Sequence, residues 1–196
     1  YFNGTNANIG YSRFTNNTAA SGGAIYNTGS MFAIGNSFNN NTAADGKNDI
    51  AGNGSTKLGV SFEIGAEDTV YGKTAKIIVN VTSNYKPING GIVSTVVNNV
   101  TYNASVVNGV ATLQIPNLNV GSYDMVISYN DSNYNNCTES YTLVINKQTV
   151  KITAKAASFI INYGGKYSIT LKDSNGKAVA GEKVTFTLGG KAVGSA

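Results

Sequence analysis

The sequence contains no histidine, no tryptophan, one cysteine and two prolines in 196 residues. Without histidine the chain cannot form a Ser-His-Asp or Cys-His nucleophilic system, and it lacks the commonest zinc and iron ligand. The lone Cys137 excludes an internal disulfide and a thiolate cluster. We expect it to be either a small buried apolar residue or a reactive, intermolecular thiol. These absences exclude the commonest nucleophilic and metal-binding systems, and we expect a protein that is not an enzyme and has no catalytic, cofactor-binding or metal-binding residues.

Charge is also scarce, at 12% of residues, and it is unevenly distributed. Residues 1–146 carry six basic and eight acidic side chains, whereas residues 147–196 carry eight and two. A basic end can attract nucleic acid or an anionic polymer. The lysines nevertheless stand singly along predicted strands, a pattern typical of solvated faces that resist edge pairing. Because basic and aromatic residues are not interleaved, no nucleic-acid partner is predicted.

Long apolar runs are missing too. No segment resembles a membrane span or a secretion signal, so we expect the chain not to be embedded in a membrane. The sequence begins inside a repeat, and we therefore expect it to be a piece of a longer chain.

A short repeat dominates the first quarter of the chain. The segment FTNNTAA, beginning at Phe14, returns as FNNNTAA at Phe38, and later repeated positions are 25 rather than 24 residues apart. A short fixed period with isolated apolar residues is typical of a stacked solenoid, since one copy cannot bury its own side chains. We predict parallel β-helix coils over residues 1–56, with Phe14 on Phe38, Ile25 on Ile50, and asparagine ladders.

The second copy of this repeat differs from the first. It carries Lys47-Asn48-Asp49 where the first has Gly22-Gly23-Ala24, and no third phenylalanine follows. Charge at a stacked position is typical of a terminal repeat. We therefore expect a capping coil that ends near residues 52–55.

From residue 57 the pattern changes to alternating strands separated by turn signals such as Asn98-Asn99 and Asn108-Gly109. Such spacing predicts an antiparallel sandwich of immunoglobulin type over residues 57–147, because neither face of a single sheet could stay exposed. Seven strands are predicted, at 60–64, 75–81, 91–97, 100–106, 110–115, 123–129 and 141–145.

The last segment repeats this one. Residues 163–166, YGGK, echo YGK at 71–73, and residues 177–181 align with 86–90, an offset of 91 or 92 residues. A second sandwich beginning near Gln148 would then need about 90 residues. We expect residues 148–196 to be its N-terminal half, completed by further residues or by another chain.

These motifs resemble two families. Phe14-x-x-Asn17 with Gly22-Gly23-Ala24-Ile25 is similar to the FxxN and GGAI repeats of polymorphic outer-membrane autotransporter passengers. The coils together with Tyr163 to Lys191 resemble the adhesin-like surface proteins of methanogenic archaea. That resemblance implies a right-handed parallel β-helix followed by bacterial-type Ig-like repeats, and a secreted or wall-anchored location. It carries over no catalytic residues.

Asparagine sequons point to the same location. Nine Asn-x-Ser/Thr motifs without proline occur before residue 139, and none follows. They are either candidate N-glycosylation sites or a by-product of an Asn- and Thr-rich composition. Their asparagines are Asn3, Asn16, Asn40, Asn53, Asn80, Asn99, Asn103, Asn130 and Asn136.

Three groups of residues are candidates for chemistry. Asp45 and Asp49, flanking Lys47, are either turn and capping residues or the general acid and base of a polysaccharide-cleaving β-helix. With Asn48 they also suggest a calcium site, without its regular ligand spacing.

The second group is Lys57, on a first sandwich strand, and Asn146, on the last strand, which are candidates for an isopeptide bond. Glu63 or Asp124 would assist its formation. The third is a tyrosine set that is either an aromatic platform for sugars or core packing. Its members are Tyr123, Tyr129, Tyr134 and Tyr141, of which Tyr134 is expected to be exposed.

The sequence thus predicts an extracellular, cell-surface adhesin-like protein that works by shape and contact. Its expected partners are a surface glycan or protein receptor, or neighbouring copies that add strands to unpaired edges. The alternative is a supporting part of a carbohydrate-active or glycan-binding β-helix protein. The ligand, the oligomeric state, the full length and the anchoring are not encoded in any motif.

Overall fold

The computed structural model describes residues 1–158, 163 and 166–196. Every regular element in these ranges is a β-strand, numbered β1 to β21, so the predicted all-β class is confirmed. The chain divides into two compact units, Tyr1–Asn146 and Lys147–Ala196, which we call unit 1 and unit 2.

The first coil of unit 1 consists of four short strands that pair in parallel with four strands of the second coil. The pairs are β1 (Ala7–Gly10) with β5 (Ser30–Ile34), β2 (Arg13–Thr15) with β6 (Ser37–Asn39), β3 (Thr18–Ala19) with β7 (Thr42–Ala43), and β4 (Ile25–Tyr26) with β8 (Ile50–Ala51). A ninth strand, β9 (Ser55–Leu58), extends the first sheet in the order β1-β5-β9. Parallel pairing therefore continues to Leu58, beyond the predicted end of the coils at residues 52–55.

The repeated apolar residues pack on each other as predicted. Phe14 lies opposite Phe38 in the β2–β6 register, and Ile25 lies opposite Ile50. A small core forms around Ile25, Met31 and Ala33. Each coil thus buries its apolar side chains against the next.

Asparagines at the coil corners satisfy the backbone where the strands end. Asn36 is fully buried; its Oδ1 accepts from Ser12 N at 3.0 Å and its Nδ2 donates to Ile9 O at 2.8 Å. Asn41 Oδ1 accepts from both nitrogens of Asn17, at 3.2 and 2.9 Å. The predicted asparagine ladder is confirmed at this last pair.

The rest of unit 1 is sandwich-like, with two antiparallel sheets. The first contains β10 (Ser61–Glu67), β11 (Ala75–Ser83), β12 (Lys86–Pro87) and β15 (Val110–Ile115), with β11 between β10 and β15. The second has the order β14-β13-β16-β17, with bounds Val100–Ser105, Ile92–Val97, Gly121–Asn130 and Cys137–Ile145. All seven predicted strands are present, and the two-residue β12 was not predicted.

The inner faces of these two sheets share one core. Alternate residues of β11 and β15 are fully buried, as are Val93, Ile127 and Leu143 of the second sheet. The alternation in the sequence therefore predicts which side chains point inward, as expected for two sheets packed face to face.

The coils and the sandwich meet without a linker. Asn135 N donates to Leu58 O at 3.0 Å, and Asn36 N donates to Asn84 Oδ1 at 2.8 Å. Ser83, also buried, donates through Oγ to Gly59 O at 2.8 Å. Loops of the sandwich thus cap the last coil, a role that the sequence assigned to the charged second coil.

Unit 2 contains two antiparallel pairs, β18 (Val150–Ala154) with β19 (Ile169–Asp173) and β20 (Thr185–Leu188) with β21 (Lys191–Ser195). Ile152 lies opposite Leu171, as Phe62 lies opposite Val81 at positions 90 residues earlier. The first pair therefore repeats the register of β10 and β11.

The second pair repeats the turn end of β13 and β14 at an offset of 91 residues, and a β-bulge between Phe186 and Thr187 shifts the register by one residue beyond it. Leu188 lies opposite Lys191, as Val97 lies opposite Val100. Both hairpin turns have positive φ at both central residues, Asn98-Asn99 in one and Gly189-Gly190 in the other. The turn after β19 is one residue longer than the turn after β11, which explains the change from 90 to 91. Gly164 and Gly165 of the predicted YGGK echo lie outside the described residues.

Candidate functional site

The polar side chains of the second coil are engaged in hydrogen bonds to the first coil and within their own turn. Asp45 accepts from Ser21 Oγ and, at 3.0 Å, from Lys47 N, and the Ser21 bond is the main cause of its lowered pKa. Asn48 Oδ1 accepts from Ala43 N at 2.9 Å. These contacts match the turn and capping interpretation.

Asp49 faces a different set of partners. Its Oδ1 accepts from the buried Asn41 at 3.3 Å, and its Oδ2 lies 3.5 Å from Lys86 Nζ. Asp45 and Asp49 are thus oriented by different groups. Within the described residues, no three His, Cys, Asp or Glu side chains are grouped so that they could hold a metal ion.

The two residues of the candidate isopeptide bond lie on separate strands. Lys57 is on β9, opposite Phe32 of the coils, rather than on a first sandwich strand. Asn146 follows β17 and donates through Nδ2 to Thr69 O at 3.4 Å. Glu63 lies on β10 opposite Asn80, and Asp124 accepts from Thr142 Oγ1 at 2.7 Å. The structure records no hydrogen bond that joins Lys57 to Asn146 among the described residues.

The tyrosine set belongs to the core. Tyr129 is 1% exposed and donates to Gly90 O at 3.2 Å; burial is the main cause that raises its pKa to about 12. Tyr123, Tyr134 and Tyr141 are partly buried and pack against the same core. The prediction that Tyr134 is exposed was wrong, because its ring meets Tyr129 edge-on and its backbone bridges Leu58 of the coils.

Cys137 also packs against this core and is half-buried. Burial and, to a lesser extent, Glu139 raise the pKa of its thiol. A raised pKa means less thiolate, so its environment favours the apolar role over the reactive one.

The sequons lie on the surface. Eight of the nine asparagines are exposed, and only Asn80, in the middle of β11, is half-buried. Asn16 and Asn40 occupy equivalent corners of successive coils, both with positive φ. An attached glycan would therefore point away from the core at eight positions.

Exposed valines that the sequence did not lead us to expect lie on the outer side of the second sheet. Val96, Val126 and Val144 are each about half exposed there, next to hydroxyl side chains. An open groove of about 600 Å³ crosses β13, β16 and β17 and includes Ser94, Asp124, Ser140 and Thr142. We call this the outer face. The signal was present in the sequence, since β13 and β16 carry apolar residues at adjacent as well as alternate positions.

The described residues include no helix long and apolar enough to cross a membrane. Comparisons of the chain with family models, with curated proteins and with solved structures found no match. The geometry and the sequence resemblance are therefore what the function is inferred from.

Proposed function

We propose that this chain is part of an extracellular adhesin-like protein that projects from a cell surface and makes contacts. In this proposal residues 1–58 are the last coils of a right-handed parallel β-helix, followed by Ig-like sandwich domains. The seven strands support the second assignment, since they divide as 1-2-5 and 4-3-6-7 in two antiparallel sheets, an arrangement compatible with Ig-like sandwiches.

One observation carries the proposal: in unit 1, an array of stacked coils continues into a sandwich-like pair of sheets without a linker at Leu58. Its buried polar side chains hold the array together, as Asn36 and Asn41 do between coils. Arrays of this kind provide length and shape, and their exposed faces provide contacts. The exposed sequons and the outer face are consistent with a role outside the cell.

The outer face is the contact surface that this proposal assigns. Exposed valines beside serine and threonine hydroxyls can pack on the apolar side of a sugar ring or on a protein while hydrogen-bonding its polar groups. The alternative is a supporting part of a carbohydrate-active β-helix protein. No specific observation favours it, because Asp45 and Asp49 are engaged in separate contacts.

The location is tested with antibodies raised against the purified chain. We expect them to label intact source cells as strongly as broken ones, and brief protease treatment of intact cells to abolish the signal. Labelling that appears only after the cells are broken would refute an extracellular location.

The contact role is tested with beads coated with the 196-residue chain and incubated with isolated cell-wall material. We expect retention that falls at least several-fold in Val126→Lys, which places a charge on the outer face. Ser61→Lys, at an exposed position on β10, is the matched control and should retain the material. Equal retention by both variants would remove the outer face from the proposal.

A further inference from the structure

Two tyrosines have a backbone conformation that disfavours bulky side chains. Eleven of the described residues other than glycine have positive φ, and nine of these are asparagine or aspartate, which tolerate the left-handed region. The other two are Tyr11, with φ of 50°, and Tyr85, with φ of 63°. Outliers of this kind cluster at functional sites, where the surrounding structure holds them in place.

Equivalent positions show which residue the backbone alone prefers. Tyr11 follows β1 as Gly35 follows β5, and Gly35 has φ of 62°. Tyr85 is the second residue of the two-residue turn between β11 and β12, in which both φ values are positive. Glycine is the usual residue at that position of such a turn. Both tyrosines therefore carry backbone strain that glycine or asparagine would avoid.

Packing inside the protein does not explain the two side chains. Tyr11 is 79% exposed and Tyr85 is 71% exposed, so neither ring belongs to a core. Among the described residues, neither hydroxyl group has a hydrogen-bond partner. The ring of Tyr11 lies so close over Gly35 that a Cβ there would be 2.7 Å from a ring carbon. Its position at the coil corner is thus fixed although the ring faces solvent.

Both tyrosines lie beside one buried residue, Asn36. Its Oδ1 accepts from the amide of Ser12, the residue after Tyr11, at 3.0 Å. Its own amide donates at 2.8 Å to Oδ1 of Asn84, the residue before Tyr85. The coil corner and the turn after β11 are therefore held together in unit 1, each with an exposed ring. We call Tyr11, Ser12, Asn84 and Tyr85 the tyrosine corner.

The polar groups at the tyrosine corner are uncharged. Asn84 uses Oδ1 for Asn36, and its Nδ2 has no hydrogen-bond partner among the described residues. Two cations lie next in sequence, but both are engaged elsewhere. Arg13 Nε donates to a threonine hydroxyl at 3.2 Å, and Lys86 Nζ lies 3.5 Å from a carboxylate oxygen of the second coil. The corner therefore offers aromatic faces and an amide donor without a free charge.

The two rings are isolated apolar spots on a polar surface. Between residues 2 and 70, all of which are described, Tyr11 is the only large hydrophobic side chain that is exposed. A protein interface buries about 800 Å² on each partner, with a contiguous apolar centre that this corner lacks. A sugar ring is smaller and combines apolar C–H faces with hydroxyl groups. It therefore matches a tyrosine ring beside a free amide.

We propose that the tyrosine corner binds an uncharged oligosaccharide. The rings of Tyr11 and Tyr85 pack on C–H faces of its sugar units, and Asn84 Nδ2 donates to a hydroxyl group. Backbone strain at the two tyrosines is offset by this binding role rather than by packing. The site lies apart from the outer face of the second sheet, so the inference stands independently of the contact surface proposed there.

Binding is measured with the 196-residue chain on an array of neutral hexose and N-acetylhexosamine oligosaccharides, with oligosaccharides of uronic acids printed beside them. We expect the chain to bind at least one neutral oligosaccharide. Tyr11→Asn and Tyr85→Asn should each weaken this binding by about tenfold, as the loss of an aromatic contact implies. Tyr71→Asn, at an exposed tyrosine outside the corner, is the matched control and should bind as the parent chain does.

Urea unfolding separates the binding role from a structural one. Asparagine relieves the strain of a left-handed backbone, so Tyr85→Asn should have a urea midpoint at or above that of the parent chain. Tyr11→Asn should remain close to the parent. Lower midpoints in both variants would show that the rings hold the coil corner and the turn together, which overturns the proposal.

The array gives three further outcomes that would overturn the proposal. The first is no binding of any neutral oligosaccharide, or binding of the acidic ones alone. The second is equal binding by the parent chain and both tyrosine variants. The third is binding that Val126→Lys abolishes and both tyrosine variants keep, since this would assign the sugar to the outer face.

Discussion

The rings of Phe14 and Phe38 lie with their centroids 5.3 Å apart and their planes within 11°, although 24 residues separate them. This stack joins two coils that each lack a core of their own. Phe38→Ala should therefore lower the free energy of unfolding by about 2 kcal/mol, less than for a fully buried ring because Phe38 is half-buried. Urea unfolding followed by circular dichroism measures the change. Ser37→Ala, exposed on the same strand, should stay within about 0.5 kcal/mol.

Gly29 lies where successive coils approach closely. A Cβ there would overlap the carbonyl oxygen of Gly4, and a Cβ at Gly54 would overlap that of Gly29. Because these are backbone atoms, neither neighbour can rotate away. Gly29→Ala should cost about 3 kcal/mol or more in urea unfolding. Gly65→Ala, on β10 with open space around it, is the matched control and should leave the urea midpoint nearly unchanged.

Asn36 tests whether the buried asparagines hold the coils together. In Asn36→Ala the Ser12 amide and the Ile9 carbonyl lose their partners, which should cost about 2 kcal/mol or more. Hydrogen exchange at the Ser12 amide should accelerate in the same variant. Asn39→Ala, at an exposed position of β6, should change neither quantity. Equal stability of the two variants would contradict the role assigned to Asn36.

Tyr129 makes stability depend on alkaline pH. Burial, with smaller contributions from Asp131 and Tyr134, raises its pKa to about 12 in the folded chain, against about 10 for a free tyrosine. A raised folded pKa means that the unfolded chain loses this proton first. The contribution of Tyr129 is therefore complete below pH 10 and is lost as the pH rises from about 10 to 12.

Urea midpoints at pH 8 and pH 11 measure this effect. Tyr129→Phe should lose less stability between the two values than the parent chain does, after a loss of about 1 kcal/mol at pH 8 from the missing hydrogen bond. Tyr71→Phe is the control, because this side chain is 48% exposed. It should lose as much stability between pH 8 and pH 11 as the parent chain does. If Tyr129→Phe loses as much stability between pH 8 and pH 11 as the parent chain does, the hydroxyl of Tyr129 ionises as readily in the folded chain as in the unfolded one.

Glu139 protects an edge of the second sheet. Glu139 of β17 lies opposite the buried Ile127 of β16, so this exposed charge shares the core-facing side of the outermost strand in the sheet order. Such charges discourage a second sheet from docking edge to edge. Glu139→Val should increase the weight-average mass in sedimentation at high protein concentration. Glu139→Lys keeps a charge at the edge and should leave the weight-average mass equal to that of the parent.

Local pattern predicted the strands well. The coil repeat placed Phe14 on Phe38, and alternation located all seven sandwich strands, because each signal depends on residues near in sequence. The partial burial of Tyr134 was not predictable in this way, since its backbone bridge is made to Leu58, more than 70 residues earlier. The coils continue to Leu58 because β9 pairs with β5 of the preceding coil, a pairing that the weakening repeat did not indicate.

For the candidate sites too, features that depend on neighbouring residues were predicted and features that depend on distant residues were not. The exposed position of most sequons agrees with their loop and turn residues, and the capping role of Asp45 agrees with its local turn. Lys57 was assigned to a sandwich strand, whereas it lies on β9 of the coils. Its parallel pairing partner, Phe32, lies in the preceding coil and is distant in sequence. The outer face was missed because two-sided apolar strands were assigned wholly to the core.

The contacts around Leu58 have a mechanical consequence. Ser83 and Asn84 of the first sheet, and Asn135 in the loop before β17 of the second, hydrogen-bond to the end of the coils through backbone and side-chain groups. A sideways pull on the coils is therefore opposed by several bonds at once and does not swing about a single pivot. Force on the coils is passed to both sheets of the sandwich-like part rather than to a single strand.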